Sequence, residues 1–301
     1  MAEGVIRPPS YEQSLHDHPA MDTQTPPQYK ESSDRGSTQQ SEERADHLPN
    51  VEVRGNPIHS EVHLGDTSGL TSEELKELQE KTKREQAKKY FSLREGQFES
   101  ALEECKKILH PEKDGKIING YLLTEIDHWD HEKERVVIIT EKQLVIVKYN
   151  FIGLRVDDHR KIPLIKCDKI QTGRFVYPKN TMMIPRHFQV GLRIYAGKNE
   201  TLSTLQNWNP WFKALPHVTF GRHKGSELMD RIPRYMELNY FEQEVLSAIK
   251  AAQNELHPGA AENSLEFSSD PILIEVYCGA SPMFHNWGLL GYRRDRGSFG
   301  Y

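Results

Sequence analysis

The chain has 301 residues, of which 28% are charged and 36% are hydrophobic, and its formal net charge is −5. This balance excludes a strongly basic nucleic-acid-binding protein, and no apolar run approaches the ~20 residues of a membrane-spanning helix. The three cysteines (Cys105, Cys167 and Cys278) form neither a CxxC pair nor a disulfide framework, as is typical of a reducing compartment. The first residues contain no apolar signal-peptide region, so we expect a cytoplasmic protein.

Residues 1–70 differ in composition from the rest of the chain. They contain seven prolines, only two aromatic residues, and 5 basic against 12 acidic side chains. Such a segment cannot bury enough apolar surface to offset the entropy of ordering it. We therefore predict a disordered acidic tail over 1–70, a charged helix and linker over 71–94, and a folded domain over 95–301.

Two short motifs in this tail have the sequence PPxY. Their defining residues are Pro8, Pro9 and Tyr11 in the first copy and Pro26, Pro27 and Tyr29 in the second. Paired prolines favour the polyproline II conformation, so little entropy is lost when they dock into an aromatic groove. The tyrosine supplies the side chain that fills the pocket of a WW domain. Two copies within 29 residues argue against chance and predict WW-domain partners.

Two helices are predicted before the first strand. Thr71-Ser72-Glu73-Glu74 has the pattern of a capping box and begins a charged helix that reaches about Lys89. Its apolar stripe is thin, which favours a solvated helix. A second helix over Glu95–Leu109 is indicated by apolar residues at three- and four-residue spacing, namely Phe98, Leu102, Cys105 and Leu109.

The centre of the chain predicts a β-sheet. Val, Ile, Leu and Tyr fill three consecutive strands, Tyr121–Ile126, Arg135–Thr140 and Gln143–Tyr149. The connection between the first two, DHWDHEKE, is expected to be a charged and exposed hairpin loop. Shorter strands are predicted at Arg160–Ile165, Lys169–Val176, Gln189–Tyr195 and Pro216–Phe220.

A late helix and one buried strand complete the prediction. The helix covers Leu238–Leu256, and the strand covers Pro271–Tyr277. The apolar face of the helix consists of Leu238, Phe241, Val245, Ile249, Ala252 and Leu256. Short strands with helices at both ends predict the α+β class.

The cysteines lack the pattern of a phosphatase nucleophile. A cysteine-based phosphatase needs a low-pKa thiolate followed by an arginine at the spacing Cys-x5-Arg. At that position after the three cysteines stand Pro111, Gly173 and Phe284. We therefore predict buried cysteines, no catalytic residue and no enzymatic activity.

No cofactor or metal site is predicted either. Asp127, His128, Asp130 and His131 are metal-binding residue types, but no second Cys or His pair lies at zinc-ligand spacing, so a metal is the less favoured reading. Basic residues recur after the third strand, namely Arg155, Arg160, Lys161, Lys166, Lys169, Arg174, Lys179, Arg186 and Arg193. They alternate with acids, as on a solvated face, and a site for acidic lipid headgroups is the alternative.

Four segments carry a family resemblance. YLLTEIDHWDHEKERVVIITEKQLVIVKYNFI, NWNPW, PILIEVYCG and LGYRRDRGSFGY follow in this order within residues 90–301. Together they resemble the tumour protein p63-regulated gene 1 family, whose shared region is the hSac2-type domain. The resemblance implies a pleckstrin-homology-like antiparallel sheet with flanking helices, a homo-oligomer, and no established enzymatic activity. It also implies a scaffold role in the cytoplasm or on vesicles, because the family includes a synaptic-vesicle-associated member.

These observations favour a non-enzymatic cytoplasmic adaptor whose tail recruits WW-domain proteins. The first alternative is a peripheral regulator of vesicles or membranes that binds acidic phospholipids. The second is a phosphoinositide-processing enzyme.

Overall fold

The computed structural model of the protein describes residues 71–179, 189–197, 216–256, 265–274 and 280–296. The helices in these ranges are α1 (Ser72–Lys88), α2 (Gln97–Lys106), α3 (Pro111–Asp114), α4 (Leu238–Leu256) and α5 (Ser281–Trp287). The strands are β1 (Ile117–Ile126), β2 (Glu132–Thr140), β3 (Gln143–Asn150), β4 (Arg155–Pro163), β5 (Cys167–Val176), β6 (Val190–Ala196), β7 (His217–Gly221), β8 (Glu266–Ser268) and β9 (Ile272–Leu273). The predicted tail over 1–70 lies outside the described residues.

Helix α1 begins at the predicted capping box. The Thr71 hydroxyl accepts a hydrogen bond from the Glu74 amide at 3.3 Å, and the Glu74 carboxylate accepts one from the Thr71 amide at 2.7 Å. This reciprocal pair satisfies two amides that have no partner inside the helix. The helix buries none of its residues, which confirms the prediction of a solvated helix.

Helix α2 is shorter than predicted, because its C-terminal residues tighten into a 3₁₀ geometry. The amides of Lys107, Ile108 and Leu109 each donate to the carbonyl three residues earlier rather than four. The predicted apolar stripe is nevertheless correct in its centre, where Phe98 and Cys105 are buried.

The sheet consists of two antiparallel meanders. Strands β1–β4 pair in chain order, and strands β5–β7 do the same. The meanders join because β1 pairs antiparallel with β7, while β8 and β9 pair in parallel with β5. The long helix α4 follows the second meander. This order confirms the predicted α+β class and its pleckstrin-homology-like arrangement.

The strand predictions are confirmed in the centre of the sheet and need correction at its edges. The three central strands lie within β1, β2 and β3. Strand β4 begins at Arg155, five residues before the predicted start, because its first half is polar and mostly exposed and shows no apolar alternation. Within the described part of Pro271–Tyr277, only Ile272 and Leu273 form a strand. Strand β8 and the short helices α3 and α5 were not predicted.

Two apolar clusters cover the two faces of the first meander. Helix α4 packs on one face, where Phe241 contacts the rings of Tyr121 and Phe220 at centroid distances of 5.2 and 5.3 Å. Helix α2 packs on the opposite face, against alternate residues of the same strands. The predicted apolar face of α4 is confirmed up to Ala252, but Leu256 at its end is 59% exposed.

Candidate functional site

Three segments meet at one end of the first meander. They are the β1–β2 connection (residues 127–131), the β3–β4 turn (151–154), and the last described segment (280–296). The register pairs Ile126 with Glu132 and Asn150 with Arg155, so both connections leave the sheet at the same end of its strands. We call residues 288–296 the strap.

The strap lies between strand β2 and the turn that follows α1. The Gly291 carbonyl accepts a hydrogen bond from the Glu134 amide at 3.0 Å. Two residues on, the Arg293 carbonyl accepts one from the Phe91 amide at 3.1 Å, and the Asp295 amide donates to the Lys89 carbonyl at 2.7 Å. A Cβ atom at position 291 would lie 1.9 Å from the Glu132 carbonyl oxygen, so only glycine fits this approach.

A buried polar cluster, which we call the latch, binds the strap from the interior of the domain. The Glu134 carboxylate accepts hydrogen bonds from the Ser92 hydroxyl, from Nε2 of His223 at 2.8 Å, and from the Arg293 amide at 3.3 Å. Nδ1 of His223 accepts from the Gly225 amide, so Nε2 carries the proton. The latch consists of Ser92, Glu134 and His223, and all three are buried.

The latch contains the residue types of a nucleophilic triad but not its geometry. In a triad the histidine bonds the serine hydroxyl, and the carboxylate orients the histidine from its other nitrogen. Here both Ser92 and His223 bond the same oxygen of Glu134. The serine is 1% exposed and the histidine 0%, so no substrate reaches them. The arrangement fixes three chain segments to one another.

Two tyrosines pack beside the latch. The Thr124 hydroxyl donates to the Arg222 carbonyl at 2.7 Å and therefore accepts from the Tyr292 hydroxyl at 2.6 Å. Burial raises the pKa of Tyr292 well above its usual value. The Arg294 guanidinium lies 4.5 Å from the centre of the Tyr90 ring, and burial raises the pKa of Tyr90 to about 12. The strap is thus held by aromatic as well as polar contacts.

The β1–β2 connection is not the exposed loop that its charges predict. The Asp127 carboxylate accepts hydrogen bonds from the amides of Trp129 and His131, both at 2.9 Å. Burial alone would raise the pKa of Asp127, but hydrogen bonds from His131 and the Lys133 ammonium hold it far below its usual range. Trp129 and Asp130 are buried, so the prediction is wrong.

Helix α5 covers this connection, and Asn286 supplies the contacts. Its Nδ2 donates to the Asp130 carbonyl at 2.6 Å, and its Oδ1 accepts from the Glu132 amide at 2.9 Å. The His285 and His131 rings lie 4.5 Å apart. A helix that the sequence did not predict therefore buries the charges of the connection.

Among the described residues, five large apolar side chains stand exposed around this end of the first meander, and we call them the apolar rim. The β3–β4 turn contributes two of them, and α5 and the strap contribute three. They are Ile152 (57% exposed), Leu154 (53%), Phe284 (64%), Trp287 (50%) and Leu290 (59%).

The basic residues singled out in the sequence do not converge. Four bind carboxylates: Arg155 to Asp157 (3.4 Å), Arg160 to Glu125 (2.5 Å), Lys161 to Asp114 (2.7 Å) and Lys169 to Glu266 (2.6 Å). Arg193 donates to the Thr219 hydroxyl and to the Leu273 carbonyl. Lys166, Arg174 and Lys179 are exposed, and Arg186 lies outside the described residues. This distribution resembles the solvated face that the alternating charges indicated.

The cysteines of the described ranges pack in the core, as predicted. Cys105 and Cys167 are both fully buried, and burial raises the pKa of each thiol to about 12. A thiol with so high a pKa stays protonated near neutral pH and is a poor nucleophile. Cys278 lies outside the described residues.

The predicted WW-binding residues also lie outside the described residues: Pro8, Pro9, Tyr11, Pro26, Pro27 and Tyr29. They stay predictions. Trp208 and Trp211 of the NWNPW motif lie outside the described residues as well. Within the described ranges, no group of three or more His, Cys, Asp or Glu side chains has the arrangement of a metal site. No helix in these ranges is both long and apolar enough to cross a membrane.

Comparisons with known proteins define the class and then the family. The family model described as "hSac2: Inositol phosphatase" matches residues 89–195, which cover the turn after α1 and strands β1–β5 and reach into β6. The human "Tumor protein p63-regulated gene 1 protein" is 37% identical over 216 residues, which are 71% of this chain and 78% of that protein. The chain therefore belongs to the tumour protein p63-regulated gene 1 family, as the sequence motifs indicated.

A solved structure was also found in the comparison. "The hSac2 domain from human phosphoinositide phosphatase Sac2" has a TM-score of 0.35 and 12% sequence identity. The match covers 58% of this chain and 88% of that one.

Proposed function

We propose that the protein is a non-enzymatic adaptor, in which a hSac2-type domain is joined to a tail that recruits partner proteins. The observation that carries this proposal is the placement of the reactive groups. Two thiols are buried in apolar surroundings, and the Ser92–Glu134–His223 latch is sealed beneath the strap. These groups hold the fold together, and this use supports a binding role rather than catalysis.

Phosphate release tests the non-enzymatic part of the proposal. Full-length protein incubated with a panel of phosphoinositides should release no phosphate above the level of a buffer blank. Cys167→Ser and Cys105→Ser serve as paired variants, because both thiols are buried to the same degree. Phosphate release that disappears in one cysteine variant and persists in the other would overturn the assignment.

The tail supports the adaptor role through its two PPxY motifs. Pro8 and Pro26 lie 18 residues apart, so a flexible chain places them about 20–25 Å apart on average. One tail then spans two WW domains of one partner, and the second binding event becomes intramolecular. Proteins with tandem WW domains are the partners that fit this spacing.

Titration of full-length protein into a tandem WW protein tests the partner class. Tyr11→Ala or Tyr29→Ala alone should weaken binding moderately, and the double variant should nearly abolish it. A Tyr240→Ala variant is the control, because Tyr240 is an exposed tyrosine of the folded domain. Equal affinity of the wild type and the double variant would end this part of the proposal.

Self-association is the third part of the proposal, and family membership supports it. The described domain and its flanks carry almost balanced charge, with 34 basic and 32 acidic residues over 71–301, so repulsion would not oppose pairing. Light scattering across the micromolar range should report a homo-oligomer, and a constant monomer mass would contradict it.

A second candidate function is that of a peripheral membrane regulator in the cytoplasm or on vesicles. The paired state of the basic residues gives little support to a headgroup-specific phosphate pocket. The apolar rim favours a different mode of contact with acidic phospholipids.

A further inference from the structure

We propose that the apolar rim is a membrane-docking surface, whose side chains enter the headgroup region of an anionic bilayer. The proposal rests on the second candidate function and deepens it, because it names the residues and the mode of contact. Contact would come from shallow insertion of Ile152, Leu154, Phe284, Trp287 and Leu290 rather than from a phosphate-binding pocket.

The exposure of these side chains is the first support. Each of the five is at least half exposed, and they include two aromatic side chains, Phe284 and Trp287. Single exposed apolar residues are ordinary, but several large ones around one end of a domain indicate an interaction surface.

The rigidity of the segments that carry the rim is the second support. Oδ1 of Asn150 accepts hydrogen bonds from the amides of Ile152 at 3.1 Å and Gly153 at 2.9 Å, and these bonds fix the β3–β4 turn. Leu154 has φ of 50°, a conformation that costs free energy for a side chain of this kind. The turn thus holds an apolar side chain in solvent in an unfavourable conformation, as functional sites often do.

The strap and α5 are fixed against the same end of the sheet. Asn286 binds the β1–β2 connection, and Arg293 binds Asp157 of β4 at 2.9 Å. Because β4 starts directly after the turn that carries Ile152 and Leu154, this ion pair ties the strap to the strand next to that turn. The segments that carry the rim are therefore held to one another at this end of the sheet.

The shape of the rim fits a bilayer better than a protein partner with a single anchor. Its side chains project from three different segments, namely a turn, a short helix and the strap. A cleft of about 410 Å³ lies elsewhere, between Arg222 and Asn239, and no rim residue lines it. Trp, Phe and Leu beside arginine are the combination that favours the boundary between headgroups and acyl chains.

The charges around the rim complement an anionic surface. Asp130 and Glu132 are buried under α5 and the strap, so these carboxylates are turned away from solvent. The strap itself carries three arginines and one aspartate, a net charge of +2. Arg155 follows Leu154 directly and is exposed, and Arg296 donates to the Leu289 carbonyl beside Leu290. Over residues 151–158 and 288–296 together, four arginines stand against three aspartates (Asp157, Asp158 and Asp295), a net charge of +1, and Asp157 binds both Arg155 and Arg293.

Vesicle flotation of the full-length protein tests the proposal. The probes are vesicles of phosphatidylcholine alone and vesicles that also contain phosphatidylserine. The wild type should float with the anionic vesicles, and the paired variants Ile152→Ser/Leu154→Ser and Phe284→Ser/Leu290→Ser should each lower the partition coefficient by about tenfold or more. The control is Leu256→Ser, because Leu256 has the same exposed fraction as Leu290 but lies outside the rim. It should float like the wild type.

Quenching of tryptophan fluorescence by bromine-labelled acyl chains separates insertion into the bilayer from simple adsorption on its surface. Trp287→Phe keeps an aromatic side chain in the rim, so it should float normally but lose part of the quenching seen in the wild type. Unchanged quenching would overturn insertion of α5.

The outcomes distinguish the rim from the membrane function as a whole. Paired rim variants that float like the wild type would overturn the rim proposal and leave the membrane function standing. A wild-type protein that floats with neither kind of vesicle would overturn both. Unchanged melting temperatures of the rim variants are expected because the side chains are exposed, and they confirm that a loss of flotation is not a loss of fold.

Discussion

The helix α4 and the strap both close the domain, but they do so by different means. Helix α4 buries an apolar face on the sheet, where Phe241, Val245 and Ile249 are fully buried. The strap instead depends on one glycine, backbone hydrogen bonds and a shared carboxylate, Glu134. The first kind of contact is non-directional and tolerates small shifts, whereas the second depends on position to a fraction of an ångström.

This difference separates stability from recognition in the domain. The apolar contacts of α4 supply free energy over a wide area. The strap supplies less area but places α5 and its exposed side chains at a defined edge of the sheet. Variants of each region should therefore differ in what they disturb.

The largest effect is expected from the α4 side. Phe241→Ala removes a fully buried ring that contacts Tyr121 and Phe220, and it should lower the free energy of unfolding by about 3–5 kcal/mol. Denaturant unfolding followed by circular dichroism measures this change. Glu255→Ala, an exposed position on the same helix, should change it by less than about 0.5 kcal/mol. A loss below about 1 kcal/mol for Phe241→Ala would mean that α4 is not the main apolar closure.

The latch comes next. Ser92→Ala removes a buried hydroxyl that donates to the Glu134 carboxylate, and the expected loss is about 1.5–3 kcal/mol. The matched control is Ser100→Ala, whose exposed hydroxyl donates to the Gly96 carbonyl within α2. Comparable losses for the two serines would contradict a structural role for the latch.

The sequence predicts the elements that depend on residues close together in the chain, and it misses the contacts between residues far apart in the chain. The bounds of α4 agree with the prediction at both ends, because its apolar residues recur three and four positions apart within one continuous segment. The latch joins Glu134 to Ser92, 42 residues earlier, and to His223, 89 residues later. No local period connects such positions.

One signal for the latch was nevertheless present. The period of two that buries Val136 and Ile138 continues backward to Glu132 and Glu134, which places both carboxylates on the same buried face. Buried acids need partners, so the pattern could have predicted a polar cluster, although not the identity of its members. The motif LGYRRDRGSFGY indicated the family, but it did not indicate that its first glycine, Gly291, packs against the backbone of strand β2.

Gly291→Ala tests the strap directly. The added Cβ would lie 1.9 Å from a backbone oxygen, so the strap must move, and the expected loss is about 1–3 kcal/mol. Hydrogen exchange should rise in residues 288–296 and stay unchanged in α4. Gly153→Ala in the β3–β4 turn is the control, because its Cβ would meet only the Asn150 side chain at 3.4 Å. Equal exchange in the strap of the two variants would show that the close approach is unimportant.

The smallest effect is expected from mild acid, and it should also discriminate between the two regions. Burial lowers the pKa of His285, and nearby His131 and Lys133 lower it further; burial likewise lowers the pKa of His128. A histidine with a lowered pKa in the folded state stabilises the fold above its unfolded pKa of about 6.5. That contribution is lost as the pH falls below about 6.5, because the unfolded state then binds more protons.

Helix α4 contains no histidine, so acid should loosen the strap end first. Hydrogen exchange at about pH 7 and about pH 5, corrected for intrinsic rates, should show faster exchange in α5 and the strap than in α4. The pKa of His217 is lowered to about 3 by burial and by Arg193 and Arg160, but His217 lies in β7, outside both α4 and the strap. A His285→Gln variant should show a smaller difference between the two pH values in α5. If α4 and the strap lost protection equally, the strap would not be the separately held element that its polar contacts describe.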